Sequence, residues 1–143
     1  MEPLTITRTI EINAPRERVW EAVTTAELLA SWFPDAITLD LRIGGRGVMT
    51  FEGYGSYPFE VQELDPQDHV AYRWASGAGE ADLTKGSTLA RFTLTDIPGG
   101  TLVTVDESGF ELLPDPEKSA RGNEEGWEHE LGELKELLER DSS

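Results

Sequence analysis

The sequence contains no cysteine, which removes disulfides, thiolate zinc sites and thiol nucleophiles together. It has two histidines, His69 and His129, too far apart in the chain to form a local ligand pair. Its many carboxylates do not fall into an Asp-x-Asp-x-Asp-Gly loop, so neither zinc nor calcium is expected, and nothing calls for an organic cofactor. Long apolar runs are missing as well. None approaches the roughly 20 residues that span a bilayer, and Met1-Glu2-Pro3 leads into a strand pattern rather than a basic-then-apolar signal. A cytoplasmic protein is the expectation. Positive charge is scarce: 12 Lys and Arg stand against 28 Asp and Glu, a net of -16. Nucleic acid and acidic membrane would be repelled, so neither is expected as a partner.

Two familiar catalytic devices are also lacking. Gly44-Gly45-x-Gly47 is glycine-rich but leads into a strand, without the helix N-terminus that cradles phosphate. It reads as a hairpin turn. Ser108-Gly109 has no glycine two residues before the serine, and Ser56 and Ser87 have no histidine or acid beside them. A hydrolase is not expected, and no catalytic set stands out.

What is present is an amphipathic C-terminal helix. Trp127, Leu131, Leu134 and Leu138 recur at i, i+4, i+7 and i+11, one stripe of a helix over residues 126–138. Residues 111–143 hold eleven acidic and four basic side chains, a net of -7, mostly on the opposite face, as a solvated surface requires. At 143 residues a single domain is expected.

Upstream, the pattern is mostly period two. Leu4, Ile6, Ile10 and Ile12 alternate with polar residues in a first strand, and Arg8 falls on their phase. Arg8 either pairs with a carboxylate at the core edge or reaches into an internal space. Asn13-Ala14-Pro15 then opens a helix with Val19, Trp20 and Val23 inward, Asn13 serving as a cap. Thr24-x-x-Glu27 reads as a capping box for a second short helix, which must end near Phe33 because Pro34 follows. From Ala36 onward the chain reads as a meander of six more strands: one over residues 37–43, then runs carrying Met49 and Phe51, Phe59 and Val61, Val70, Tyr72 and Trp74, Ala90, Phe92 and Leu94, and Val103 and Val105. Residues 76–85 form a loop, and Pro114-Asp115-Pro116 introduces the closing helical region. The fold class is therefore α+β, a curved antiparallel sheet whose concave face the long helix fills.

Ile12-x-Ala14-Pro15 with Val19-Trp20, Leu28-x3-Trp32, Arg42-x-Gly44-Gly45, Glu63-x-Asp65-Pro66, Tyr72-x-Trp74, Ser108-Gly109-Phe110 and Gly126-Trp127-x3-Leu131-x2-Leu134 occur in this order. The ordered set resembles the family named for the activator of the heat-shock protein 90 ATPase, within the START and Bet v 1-like superfamily. The resemblance implies the helix-grip fold and a hydrophobic cavity between sheet and helix, used across the superfamily for lipids, hormones and polyketides and in some branches for cyclase or aromatase chemistry. It also implies a chaperone as a partner, although 143 residues leave no room for the extra N-terminal domain of the eukaryotic co-chaperone. Fold alone does not choose among these.

Trp32, Met49, Phe51, Tyr72, Trp74, Phe92, Leu94, Val105 and Trp127 fall on inward phases, joined by Phe33, Val61 and Leu131. They either enclose a pocket of roughly 300–1,000 Å³ for an apolar ligand or meet and fill the space as core. Glu107 continues the phase of Val103 and Val105. Burial disfavours its charged form unless a cation or hydrogen-bond donors compensate, and Arg8, Arg42 and Arg73 are the candidate cations. Tyr72 needs a partner for its hydroxyl, from a ligand or a backbone carbonyl. The expected function is binding of an apolar or aromatic small molecule by a monomer or weak homodimer, with the mouth at residues 76–85 and Phe33. The alternatives are a stress-response co-chaperone, and a cyclase or dehydratase using Glu107 as acid or base.

Overall fold

The computed structural model describes residues 4–75 and 87–141. Strand β1 (Thr5–Ile12) precedes helices α1 (Arg16–Thr24) and α2 (Ala26–Trp32). Strands β2 (Ala36–Leu39), β3 (Arg46–Phe51), β4 (Gly55–Asp65), β5 (His69–Ala75), β6 (Ser87–Ile97) and β7 (Gly100–Ser108) follow, then a 3-10 turn at Phe110–Leu112 and helix α3 (Pro116–Asp141). Among the described residues the strands form one antiparallel sheet in the order β1-β7-β6-β5-β4-β3-β2. This is the expected α+β helix-grip architecture.

Alternation decides which face each strand buries. In β7, Thr101, Val103, Val105 and Glu107 have almost no exposed surface, while Leu102, Thr104 and Asp106 between them are half-buried. Phe92 and Leu94 of β6 and Tyr72 and Trp74 of β5 share the same buried face. Against it lies α3, whose Ala120, Trp127, Leu131, Leu134 and Leu138 are buried. Each leucine so covered stabilises the fold by about 1.5–3 kcal/mol. With 26 residues at about 1.5 Å each, α3 is about 39 Å long. It begins ten residues before the expected start at 126, because Pro116 suits a first helical turn and the run after it continues without a break.

Other expectations are corrected at element ends. The strand expected over 37–43 stops at Leu39; Leu41 and Ile43 are exposed, and the chain instead turns through Gly44 at φ 83°. The Thr24-x-x-Glu27 capping box does not form. Thr24 is the last residue of α1 and donates its hydroxyl to the Trp20 carbonyl at 2.6 Å, four residues back. Nor does Asn13 cap α1: Pro15 occupies the N-cap position, and no side chain bonds there. The Asn13 N–H goes to Glu139 of α3 instead, at 2.9 Å. The expected loop at 76–85 lies outside the described residues.

Arg8 resolves as an ion pair at the edge. Its Nη2 lies 3.7 Å from Glu124 and 3.8 Å from Glu128, both on α3. Two glycines are fixed by close approach or backbone. At Gly47 a Cβ would fall 2.0 Å from the Thr38 carbonyl and 2.5 Å from the Phe59 ring, so β3 approaches β2 only without a side chain. Gly109 adopts φ 100°, which turns β7 into the segment leading to α3.

If the α3 stripe holds the fold, Leu134→Ala should destabilise by about 2–5 kcal/mol. Glu136→Ala, on the exposed face of the same helix, should change stability by about 0.5 kcal/mol or less. Urea unfolding followed by far-ultraviolet circular dichroism reads both.

Candidate functional site

Between the concave face of the sheet and the first half of α3 lies a cavity of about 710 Å³. Phe33 enters it from the end of α2, Met49, Phe51, Tyr54 and Tyr57 from the β3–β4 hairpin, and Trp74 and Ala75 from β5. Thr88 and Glu107 line the sheet side, Leu113 and Pro114 the approach to α3, and Lys118, Ser119, Gly122, Asn123, Gly126, Trp127 and Glu130 the helix side. The space exists because α3 changes character along its length. From Trp127 onward its inward residues are large, whereas Gly122 and Gly126 have no side chain, and a Cβ added at either meets nothing within 4 Å. Glycine inside a helix costs about 0.5–1 kcal/mol relative to alanine. At these two positions it also leaves the volume open.

At the inner end, Glu107 is 0% exposed. Its Oε1 accepts the indole N–H of Trp127 at 2.8 Å and the amide of Asn123 at 3.1 Å; its Oε2 accepts the indole N–H of Trp74 at 3.1 Å, Asn123 again at 3.1 Å, and the Thr88 hydroxyl. One carboxyl thus joins β5, β6, β7 and α3. No cation among the described residues pairs with it. Arg8 is engaged by α3, Arg42 by Asp40 at 2.7 Å and Arg73 by Ser87 at 3.3 Å. Among the described residues compensation comes from neutral donors, which is how a buried carboxyl group is made tolerable without a countercharge.

The aromatic walls centre on Phe33. Its ring centroid lies 5.3 Å from Trp32, 5.5 Å from Phe51, 5.8 Å from Trp74 and 5.3 Å from Trp127. Trp74 and Trp127 stack at 5.8 Å with 25° between planes. Since both indoles also donate to Glu107, their positions are fixed at N–H and ring alike.

Glu130 occupies the helix wall three residues beyond Trp127. Half-burial, with Glu133 and Asp35 adding like charge and His129 partly opposing, pushes its carboxyl up to about 7 from an ordinary 4.5. The cavity therefore holds a second carboxyl, one that titrates near neutrality. Away from it, Asp65, Asp68 and His69 form the group of metal-type ligand atoms found among the described residues, on the exposed β4–β5 turn and within 4.8 Å of one another. His69 Nδ1 already meets Asp68 at 2.7 Å.

Of the residues singled out from sequence, Phe33, Met49, Phe51, Trp74, Glu107 and Trp127 converge on the cavity. Tyr72 and Phe92 stand behind it, around a space of about 10 Å³, no larger than one water requires. Tyr72 gives its hydroxyl to the Val23 carbonyl at 2.7 Å, and burial pushes its phenol up. Trp32 donates to the Ala22 carbonyl at 2.8 Å. With Val61, Leu94, Val105 and Leu131, it belongs to the surrounding core. Sequence reasoning missed Thr88, Asn123 and Glu130. Signals existed: Thr88 shares the phase of Ala90 and Phe92, and Asn123 and Glu130 lie at i-4 and i+3 from Trp127.

A family model described as activator of Hsp90 ATPase homolog 1-like protein matches residues 13–139. Among solved structures, the chain is similar to protein MLL2253 from Mesorhizobium loti, with 27% identity, a TM-score of 0.83, and 96% of this chain and 98% of that one covered. It is similar to DynU16, a protein of the dynemicin biosynthetic locus, with 25% identity and a TM-score of 0.79, over 94% of this chain but 47% of that one. The Aha1 dimer from Colwellia psychrerythraea shares the fold at 24% identity and a TM-score of 0.79, over 94% and 96%. No curated protein sequence matches at a significant level. No helix among the described residues is long and apolar enough to cross a membrane.

The Glu130 carboxyl carries a pH signature. Between its ordinary 4.5 and about 7, the folded protein keeps a proton that the unfolded chain releases, so stability falls as pH rises through this window. Glu130→Gln should flatten that part of the profile, measured as urea midpoints from pH 4.5 to 8.

Proposed function

The chain belongs to the activator of Hsp90 ATPase homolog 1-like family, and from that premise we propose that it binds an apolar, aromatic small molecule in the cavity between sheet and α3. The observation that carries this reading is the open volume of about 710 Å³ beside Gly122 and Gly126. Two glycines four residues apart weaken a helix that the fold depends on, and a domain needing only a core would gain stability from larger residues there.

In this reading Phe33, Phe51, Trp74 and Trp127 supply flat apolar contact, and Met49 adapts to the ligand's outline. Glu107 acts indirectly, holding both indoles in place by their N–H groups. Trp32, Val61, Tyr72, Phe92, Leu94, Val105 and Leu131 form the layer behind and keep the contact residues from collapsing inward. Preorganised walls of this kind lessen the ordering cost of binding. The chemistry derived for these residues is recognition, and no catalytic step is assigned to them.

Native mass spectrometry of protein purified from its own host, followed by denaturation, should release a stoichiometric apolar compound. A bare polypeptide with no thermal shift across a panel of hydrophobic compounds would overturn the reading and direct attention to the surface and to a chaperone as partner.

A cavity-filling variant separates binding from folding. Gly126→Leu should abolish binding of such a compound while leaving stability unchanged or raising it by up to about 1 kcal/mol. Tyr72→Phe should do the reverse, lowering stability by about 1 kcal/mol through loss of the bond to Val23 and leaving affinity intact. Isothermal titration and urea unfolding of each variant measure the two effects separately.

A further inference from the structure

Among the described residues the charges around the cavity are one-sided. Glu107 lies at its inner end and Glu130 on its helix wall, while the cation lining it among the described residues is Lys118, exposed at the rim. Among the described residues the partners of Glu107 are hydrogen-bond donors that carry no net charge, so the field of this carboxyl group is oriented with no countercharge opposite it. Low-dielectric walls strengthen that field within the pocket.

The aromatic rings act in the same direction. Phe33, Phe51, Tyr54, Tyr57, Trp74 and Trp127 all line the space, and ring faces attract cations, indole most strongly. Trp74 and Trp127 each donate an N–H to the same carboxyl group, which pushes electron density back into both rings and makes their faces more negative. An anionic ligand would meet the Glu130 carboxyl with Glu107 behind the walls, and among the described residues the cation lining the space is Lys118 at the rim. A cationic one would meet aromatic faces backed by negative charge.

We propose that this cavity selects hydrophobic amines, ligands whose apolar body carries a protonated nitrogen, over neutral or anionic compounds of the same shape. The proposal rests on the small-molecule reading above and deepens it by naming the ligand's charge. Glu130 is the carboxyl a ligand nitrogen reaches, being half-buried on the wall, whereas Glu107 is sealed behind its four donor residues and acts through the rings and through space.

The test uses three pyrene probes that differ in one substituent: 1-pyrenemethylammonium, 1-pyrenemethanol and 1-pyrenecarboxylate. Each is titrated at pH 8 in 0.15 M salt, where surface charge is largely screened, and read by probe fluorescence and by quenching of the protein's tryptophans. The ammonium should bind one to one and at least tenfold tighter than the alcohol, with the carboxylate weakest. Glu130→Gln should shrink the ammonium-over-alcohol ratio severalfold, and Glu136→Gln, which removes the same charge from the exposed face, should leave it unchanged. Equal binding of all three probes would overturn the charge selectivity while leaving the apolar pocket standing. Equal loss of the ratio in both variants would assign the preference to the acidic surface and overturn the site. Absence of binding by any probe would overturn this proposal together with the reading it rests on.

Discussion

One helix has to cover the concave face of a seven-stranded sheet, and the rest of the structure follows from how it does so. A sheet with one apolar face is stable only when that face is hidden from water. From Trp127 onward α3 hides it with Trp127, Leu131, Leu134 and Leu138, all buried. Polar contacts join the helix to β1 as well: Arg8 pairs with Glu124 and Glu128, and Lys135 donates to the Glu11 backbone carbonyl at 2.7 Å. The first half of the helix does not seal the sheet in the same way. Its glycines leave the strands and the end of α2 to face an open volume, so sealing and cavity formation are divided between the two halves of a single element.

Glu107 marks the boundary between these halves. A carboxyl group in the core is ordinarily a liability, because removal from water costs several kcal/mol unless it is hydrogen-bonded. Here Trp74, Thr88, Asn123 and Trp127 all point donors at it. Those donors come from two strands and the helix, and the buried ones, on Trp74, Thr88 and Trp127, would lose this partner if Glu107 were apolar. The group therefore specifies the relative placement of sheet and helix where side-chain packing is interrupted by the cavity. It also orients two of the largest rings that line the space, linking the energetics of the fold to the geometry of the site.

The chain is similar to MLL2253 and DynU16 over nearly its whole length, so the helix-grip scaffold is what it shares with them. The features on which the functional readings rest, Gly122, Gly126, Asn123 and Glu130, all lie on the first half of α3 or at its junction with the second.

The sequence by itself determined seven strands, one before two short helices and six between these and a long one, and the buried face of most of them, because periods of 2 and 3.6 residues record which side meets water. It also placed Glu107 inward, by continuing the alternation of Val103 and Val105. Local signals were less decisive. Thr24 and Asn13 have the chemistry of helix caps, yet Thr24 bonds back to Trp20 and the Asn13 N–H is taken by Glu139, since distant partners competed with the local ones. Tertiary structure alone decided that Glu107 would be met by neutral donors rather than by Arg8, Arg42 or Arg73. It alone decided that Tyr72 would spend its hydroxyl on Val23 while Phe33 became the centre of the aromatic wall, and that two helix glycines would stand over a cavity. Periodicity states whether a residue faces in. What it faces depends on elements brought together from distant parts of the chain, and on the volume left between them.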